Sequence, residues 1–209
     1  MKKYIFLILM YLLSINTFAQ IPIFIKIGVN NAKYNSSMYK SYTSPYFGVS
    51  TSYKINEKLN FIPELIYSIE GTKVPTGAYS EGGSYTQLIG MSDLIIKSNT
   101  LNIPLLFQYN LYKNIKLSSG IQLAYIFNTT ESLSNTSTIK GFSRDITNSI
   151  NKINCALPLD VNYLLQSFPI SINVRYNYGL NNLYTSGEKI NVLQFGINYK
   201  LVSSFTLKK

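Results

Sequence analysis

From Ile21 onward the odd positions read Ile21, Ile23, Ile25, Ile27 and Val29, while the even positions read Pro22, Phe24, Lys26, Gly28 and Asn30. Alternation with a period of two predicts a strand that has one apolar and one mixed polar face. The pattern returns along the chain. Phe47, Val49, Thr51 and Tyr53 oppose Gly48, Ser50, Ser52 and Lys54. Phe61, Pro63, Leu65, Tyr67 and Ile69 oppose a face that carries Glu64, Ser68 and Glu70. Further strands are predicted over 101–109, 117–127, 156–163, 170–180 and 193–201. Eight strands emerge.

Alternation alone fits two arrangements, because a soluble sandwich would turn the apolar face inward and a membrane barrel would turn it toward lipid. The connections separate them. Asn56-Glu57-Lys58, Tyr112-Lys113-Asn114 and Gln166-Ser167 form short turns, whereas 32–43, 71–94, 129–151 and 181–188 are longer and rich in Ser, Thr, Asn, Gly and Tyr. Short turns on one rim and long polar loops on the other are the outer-membrane arrangement, with both termini on the periplasmic side. Each strand has the roughly 9–11 residues that a tilted membrane strand needs. The apolar faces end in Tyr53, Tyr109, Tyr125, Phe127, Tyr163 and Tyr199, which suits aromatic girdles at the two interfaces. The predicted fold is all-β: an eight-stranded antiparallel up-and-down transmembrane β-barrel with short periplasmic turns and longer extracellular loops.

Composition agrees with a surface that does not face water everywhere. Only 13% of the 209 residues are charged and 14% are aromatic, with 18 Tyr and 11 Phe. Soluble domains carry about 25% charged residues. The N-terminus reads as a secretory signal: Met1-Lys2-Lys3 is basic, Tyr4 to Ile15 is apolar, and Thr17-Phe18-Ala19 forms a cleavage site before Gln20. Residues 1–19 are therefore expected to be removed and 20–209 to form the barrel domain. Gln20 stands where a lipoprotein would carry cysteine. The net charge of +10 is spread along the chain, with no run longer than Lys208-Lys209. Scattered cations read as solvated loop and turn charges and not as a nucleic-acid surface.

Several stretches resemble a known family. Pro63-Glu64-Leu65-Ile66-Tyr67-Ser68, with Gly71 beyond it, resembles the "PELLYSxxG" strand of PorT-like outer-membrane β-barrel proteins of Gram-negative bacteria. Leu101-Asn102-Ile103-Pro104-Leu105-Leu106 resembles that family's "YLEIPLLL" strand, with Asn102 where a glutamate is common and Thr100 where a tyrosine is. Arg175-Tyr176-Asn177-Tyr178-Gly179-Leu180 resembles its "RYNYGL" strand, and Ile27-Gly28-Val29-Asn30 its first strand. The resemblance implies an eight-stranded outer-membrane barrel without catalytic residues. It departs at the C-terminus, where Val202 to Lys209 follow Leu201 and Phe205 is the aromatic residue available to the insertion machinery.

The chemistry available is narrow. The chain has no His, which excludes His-based triads and imidazole acid–base chemistry, and its single cysteine, Cys155, forms no intrachain disulfide. Glu64 and Glu70 are six residues apart on one strand, roughly 20 Å, too far for a glycosidase pair. No catalytic, cofactor or metal site is expected. The lumenal face carries Lys26, Glu64, Asp160, Arg175 and Lys200. Arg175 keeps its proton, so inside a barrel it must pair with Glu64 or Asp160 in a polar network. An eight-stranded lumen is just wide enough to be filled by such side chains. The expected protein is a monomer with a structural or interaction role through loops 71–94 and 129–151. The alternatives are a narrow channel for ions or small solutes and an accessory part in secretion across the outer membrane. Lipid, lipopolysaccharide and the insertion machinery are the partners expected, with no nucleic acid.

Overall fold

The computed structural model describes residues 22–75, 93–133, 143–184 and 187–202. The signal segment 1–19, most of loop 71–94, the centre of loop 129–151 and Phe205 lie outside the described residues. The strands are β1 (Ile23–Tyr34), β2 (Lys40–Thr51), β3 (Tyr53–Lys54), β4 (Leu59–Val74), β5 (Leu94–Asn110), β6 (Ile115–Leu133), β7 (Ser143–Asp145), β8 (Ile153–Leu164), β9 (Ile170–Gly179) and β10 (Ile190–Val202). A 3₁₀ turn occupies Thr147–Ser149. Among the described residues no helix is long and apolar enough to cross a membrane.

Eight long strands form the wall, with β3 continuing the line of β2 and β7 paired only to β6. Neighbours pair antiparallel in the order β2-β1-β10-β9-β8-β6-β5-β4, and β2 also pairs with β4. With that pairing every wall strand has two neighbours, and the sheet is a closed barrel. Closure matters in lipid, where an open edge would leave backbone groups without hydrogen bonds. The start of β1, the end of β10 and the short turns at 55–58, 111–114 and 165–169 lie at one end. The first of these turns is held by Asn56 Oδ1, which accepts from the backbone N–H groups of Lys58 and Leu59, each at 2.9 Å.

The burial pattern is inverted relative to a water-soluble fold. Ile25, Ile27 and Val29 are 38%, 55% and 46% exposed, whereas Lys26 and Asn30 between them are 2% and 0% exposed. The same holds on β9, where Val174 and Tyr176 face out and Asn173, Arg175 and Asn177 are buried. An apolar outside and a polar inside suit a wall whose solvent is lipid. Aromatic rows mark its two levels. Tyr53, Phe61 and Phe107 stand at the turn end, with ring centroids 6.4 and 5.5 Å apart. Phe47, Tyr67 and Phe127 stand at the loop end, at 5.0 and 6.0 Å.

The long loops are shorter than the sequence suggests, which corrects the expected boundaries. β4 runs to Val74 and β5 starts at Leu94, so both ends of loop 71–94 belong to strands. β6 runs to Leu133, and β7 pairs back on it through Thr130–Asp145 and Ser132–Ser143, taking in both flanks of loop 129–151. The wall therefore continues past the lipid-facing band. In that continuation the phase of the alternation reverses: Asn31 and Lys33 occupy the positions after Val29 on the outer face, while Ala32 and Tyr34 are buried inside. Above the bilayer the outside meets water, so the apolar residues move inward.

Glycines make room for an aromatic side chain in the lumen. Gly28 and Gly196 are cross-strand partners, and Tyr46 pairs with Gly28 from the other side. The Tyr46 ring lies over both glycines, an aromatic side chain covering a glycine pair. A Cβ on Gly196 would collide with the Tyr46 hydroxyl and sit 2.7 Å from Asn173 Oδ1. Gly196→Val is expected to lower unfolding stability by about 1–3 kcal/mol through overpacking. Denaturant unfolding in micelles checks this, and a variant as stable as the parent would show that Tyr46 is free to move aside.

Candidate functional site

Among the described residues the buried polar and charged side chains gather in the lumen, which is layered along its axis. At mid-height sits an ion cluster. Arg175 and Asp160 are cross-strand partners on β9 and β8, and their inward positions follow from the alternation of each strand. Arg175 Nη2 and Nε donate to Asp160 Oδ2 at 2.6 and 3.1 Å. Across the barrel, Arg175 Nη1 and Nη2 donate to Glu64 Oε2 and Oε1 at 2.7 and 3.0 Å, a two-pronged contact. Lys26 Nζ on β1 donates to Glu64 Oε1 at 2.6 Å. The two carboxylates and two cations balance. Arg175 is wholly buried and the other three are 6% exposed or less.

Geometrically the cluster is a strut across the lumen. It ties β8 and β9 to β4, and β4 to β1, so strands that share no ladder are coupled through side chains. A secondary chain extends it: Asn162 Nδ2 donates to Asp160 Oδ1 at 3.0 Å, and Asn198 Nδ2 donates to Asn162 Oδ1 at 3.0 Å. Of the five lumenal residues singled out in the sequence, Lys26, Glu64, Asp160 and Arg175 come together. Lys200 does not. It lies beyond Asn198 toward the turn end of the same face, and the described residues give it no ion pair.

Above the strut lies an uncharged polar layer with one further acid. Glu70 Oε1 accepts from Asn102 Nδ2, Ser68 Oγ and Thr100 Oγ1 at 3.0, 3.1 and 3.4 Å. No cation meets it among the described residues. Asn30 Nδ2 reaches Ser68 Oγ at 2.5 Å, and Gln194 Nε2 donates to Asn30 Oδ1 at 2.8 Å. The Ser44 hydroxyl donates to the Ile69 carbonyl. Asn30, Ser68, Glu70, Asn102 and Gln194 were legible as sharing the polar face by their phase, whereas Ser44 and Thr100 lay outside the predicted strands, and nothing in the spacing showed that they would join.

Among the described residues the loop end of the lumen is filled by apolar side chains. Ala32, Tyr34, Val74, Leu94, Ile96, Ile126, Ile190 and Val192 point in from the wall, and Ile146, Ile150 and Leu183 descend from the loops. Tyr34 meets Tyr39 and Tyr184 edge-on, with centroids 5.2 and 5.8 Å apart. Backbone bonds stitch the cover down: Ile146 N–H to Thr129 O at 2.9 Å, Asn151 N–H to Leu183 O at 2.8 Å, and Asn35 N–H to Lys189 O at 3.0 Å. Beside the 3₁₀ turn, hydrogen bonds from the Thr147 side chain and backbone hold the exposed Asp145 carboxyl below its ordinary range. The sequence signal for this plug was the reversed phase at the strand ends, as in Ala32 and Tyr34.

Among the described residues no group of His, Cys, Asp and Glu could hold a metal ion. Cys155 is free and half-buried on the wall.

A family model for the outer membrane protein beta-barrel domain matches residues 13–185. No curated protein matches the chain. Among solved structures, the chain is similar to Neisserial surface protein A at 15% identity, with a TM-score of 0.47, covering 86% of this chain and 97% of that one. It is also similar to Ail, the attachment invasion locus protein of Yersinia pestis, at 15% identity and a TM-score of 0.45, covering 87% and 99% of the two chains. With a closed eight-stranded wall, an apolar belt outside and polar side chains within, the chain belongs to the outer-membrane β-barrel domain family and resides in the outer membrane.

Proposed function

We propose that the protein is a closed, non-conducting barrel that works by presenting its extracellular loops, those between β4 and β5 and between β6 and β8, to partners outside the cell. One observation carries the reading: an apolar plug fills the loop end of the lumen, built from eleven buried hydrophobic side chains. Water and ions crossing it would lose hydration without gaining polar partners. The ion strut beneath is internally neutral, which suits a packing network better than a conduction path. With the lumen stopped at its outer end, the exposed surfaces left for specific recognition are the loops, and β7 extends β6 into one of them. The likeness of 63–68, 101–106 and 175–180 to PorT-like strands supports a place near that group.

Single-channel recording in a planar bilayer tests the proposal. Inserted protein is expected to give no discrete current steps across the range of potentials the bilayer withstands. Stable, repeatable steps would overturn it and make the protein a channel.

A further inference from the structure

On the outer wall, at the loop end, a groove of about 480 Å³ opens across β1, β10 and β9. That volume is in the range of small-ligand sites. Register accounts for its lining. Asn31, Leu193 and Tyr176 are successive cross-strand partners, and Lys33 pairs with Asn191 one step nearer the loops. Asn35, Ser36 and Ser37, from the turn after β1, complete the upper side. The groove straddles the level at which the outer face changes solvent. On β1 that change falls between Val29 and Asn31, and on β10 between Leu193 and Asn191. Tyr176 and Leu193 thus give the groove an apolar lower half, and an occupant that fills it must be amphiphilic.

The polar half presents donors. Asn191 Oδ1 accepts the Gly179 N–H, and Asn35 Oδ1 accepts the Lys189 N–H, each at 3.0 Å. A backbone N–H can only donate, so both amides are fixed with the oxygen engaged and the Nδ2 group left to donate outward. Asn31 is turned aside, its Nδ2 donating to Thr43 Oγ1 at 3.1 Å. Lys33 is exposed, and the ion pairs among the described residues do not include it. No carboxylate lines the groove among the described residues, and Glu188, three residues before Asn191, stands outside it. An unmatched ammonium group, two oriented amide donors and the Ser36 and Ser37 hydroxyls suit an anionic phosphate, which accepts several charge-assisted hydrogen bonds at once.

We propose that this groove binds the phosphate-bearing headgroup of a lipid in the outer leaflet, with Lys33, Asn35 and Asn191 on the phosphate and Tyr176 and Leu193 against the lipid's apolar part. A membrane lipid fits better than a soluble phosphate, which would leave the apolar lower half unfilled. The interfacial tyrosine also suits this level, with its ring among chains and its hydroxyl among headgroups. The site lies on the outside of the wall, so it stands whether or not the lumen conducts. It places one ordered lipid against the β1–β10 ladder, directly below the turn that joins β1 to β2.

The test is titration of bisphosphorylated lipid A into the refolded protein in maltoside micelles, which carry no phosphate of their own, with retained lipid counted by native mass spectrometry. Saturable binding of one lipid per barrel is expected. Lys33→Gln should weaken it about fivefold, the effect of one lysine at an anionic lipid surface. Lys97→Gln removes the same charge from the loop end of β5, on the far side of the wall, and should leave binding unchanged. Enzymatically dephosphorylated lipid A should bind at least about tenfold more weakly. Heat-modifiable migration on a gel establishes that each variant is folded. Absence of saturable binding by the parent overturns the proposal, as does equal weakening by the two lysine variants, which would make the attraction a general one between a basic rim and anionic lipid. Equal affinity for the dephosphorylated lipid overturns it too, and inorganic phosphate bound as tightly as the lipid would make the occupant a soluble ion.

Discussion

Arg175→Ala is expected to lower unfolding stability by about 3–5 kcal/mol, the cost of breaking a buried ion network by removing one partner. The direction follows from what the deletion strands. Asp160, 3% exposed, keeps only its hydrogen bond from Asn162, and Glu64 keeps only Lys26. A carboxylate left charged and buried in that position loses its strongest partner without a second cation to replace it. The strut itself is a different quantity from its breakage. Replacing all four members together with apolar side chains of similar volume (Lys26→Met, Glu64→Leu, Asp160→Leu, Arg175→Met) is expected to recover most of the loss. Denaturant unfolding in micelles, followed by circular dichroism, measures both. An Arg175→Ala variant with the parent's midpoint and slope would show that the cluster contributes nothing.

The second large effect concerns the opposite face of the wall. Ile121, 45% exposed on β6, sits beside Leu105 of β5 and between Leu117 and Tyr125 on its own outer face. Ile121→Arg is expected to cost about 2–4 kcal/mol in a phospholipid bilayer, the penalty for a charge near the midplane of a barrel's lipid face. An arginine at a position this exposed would be harmless in a soluble protein, where surface changes stay within about 0.5 kcal/mol. The sign and size therefore report on the surrounding solvent. Unfolding measured in lipid vesicles, with Ile121→Leu as the neutral comparison, decides it. Equal stability of the arginine variant would place Ile121 in water.

Much of the wall was legible in the sequence because a strand's period is two, and a register slip would flip every side chain to the wrong face. Lys26, Glu64, Asp160 and Arg175 could be assigned to one interior from their phase, and the fixed charge of Arg175 demanded a carboxylate. Which carboxylate was not legible. Asp160 meets Arg175 through their shared ladder, but Glu64 meets it from across the barrel, a relation set by closure and not by any local spacing. Lys200 shared the phase and yet stands apart, because phase gives the face and not the height. The strand ends were misjudged for a related reason. Leu94, Ile96 and Ile126 break the rule that apolar means lipid-facing, since above the bilayer the rule inverts. A reversal of phase within one strand is itself the mark of the membrane boundary.

The pairing of β1 with β10 has a consequence for how the molecule comes into being. The ladder that joins Ile23 to Val202 links the two ends of the described wall, so the contact that completes the barrel is also the most distant along the chain. Long-range pairing of this kind slows folding far more than it weakens the finished fold. It also forbids assembly by instalments. A chain halted before Ile190 would offer β1 and β9 as two unpaired edges to hydrocarbon. The barrel is thus an all-or-none object in time as well as in energy, and its final thirteen-residue strand acts as the clasp.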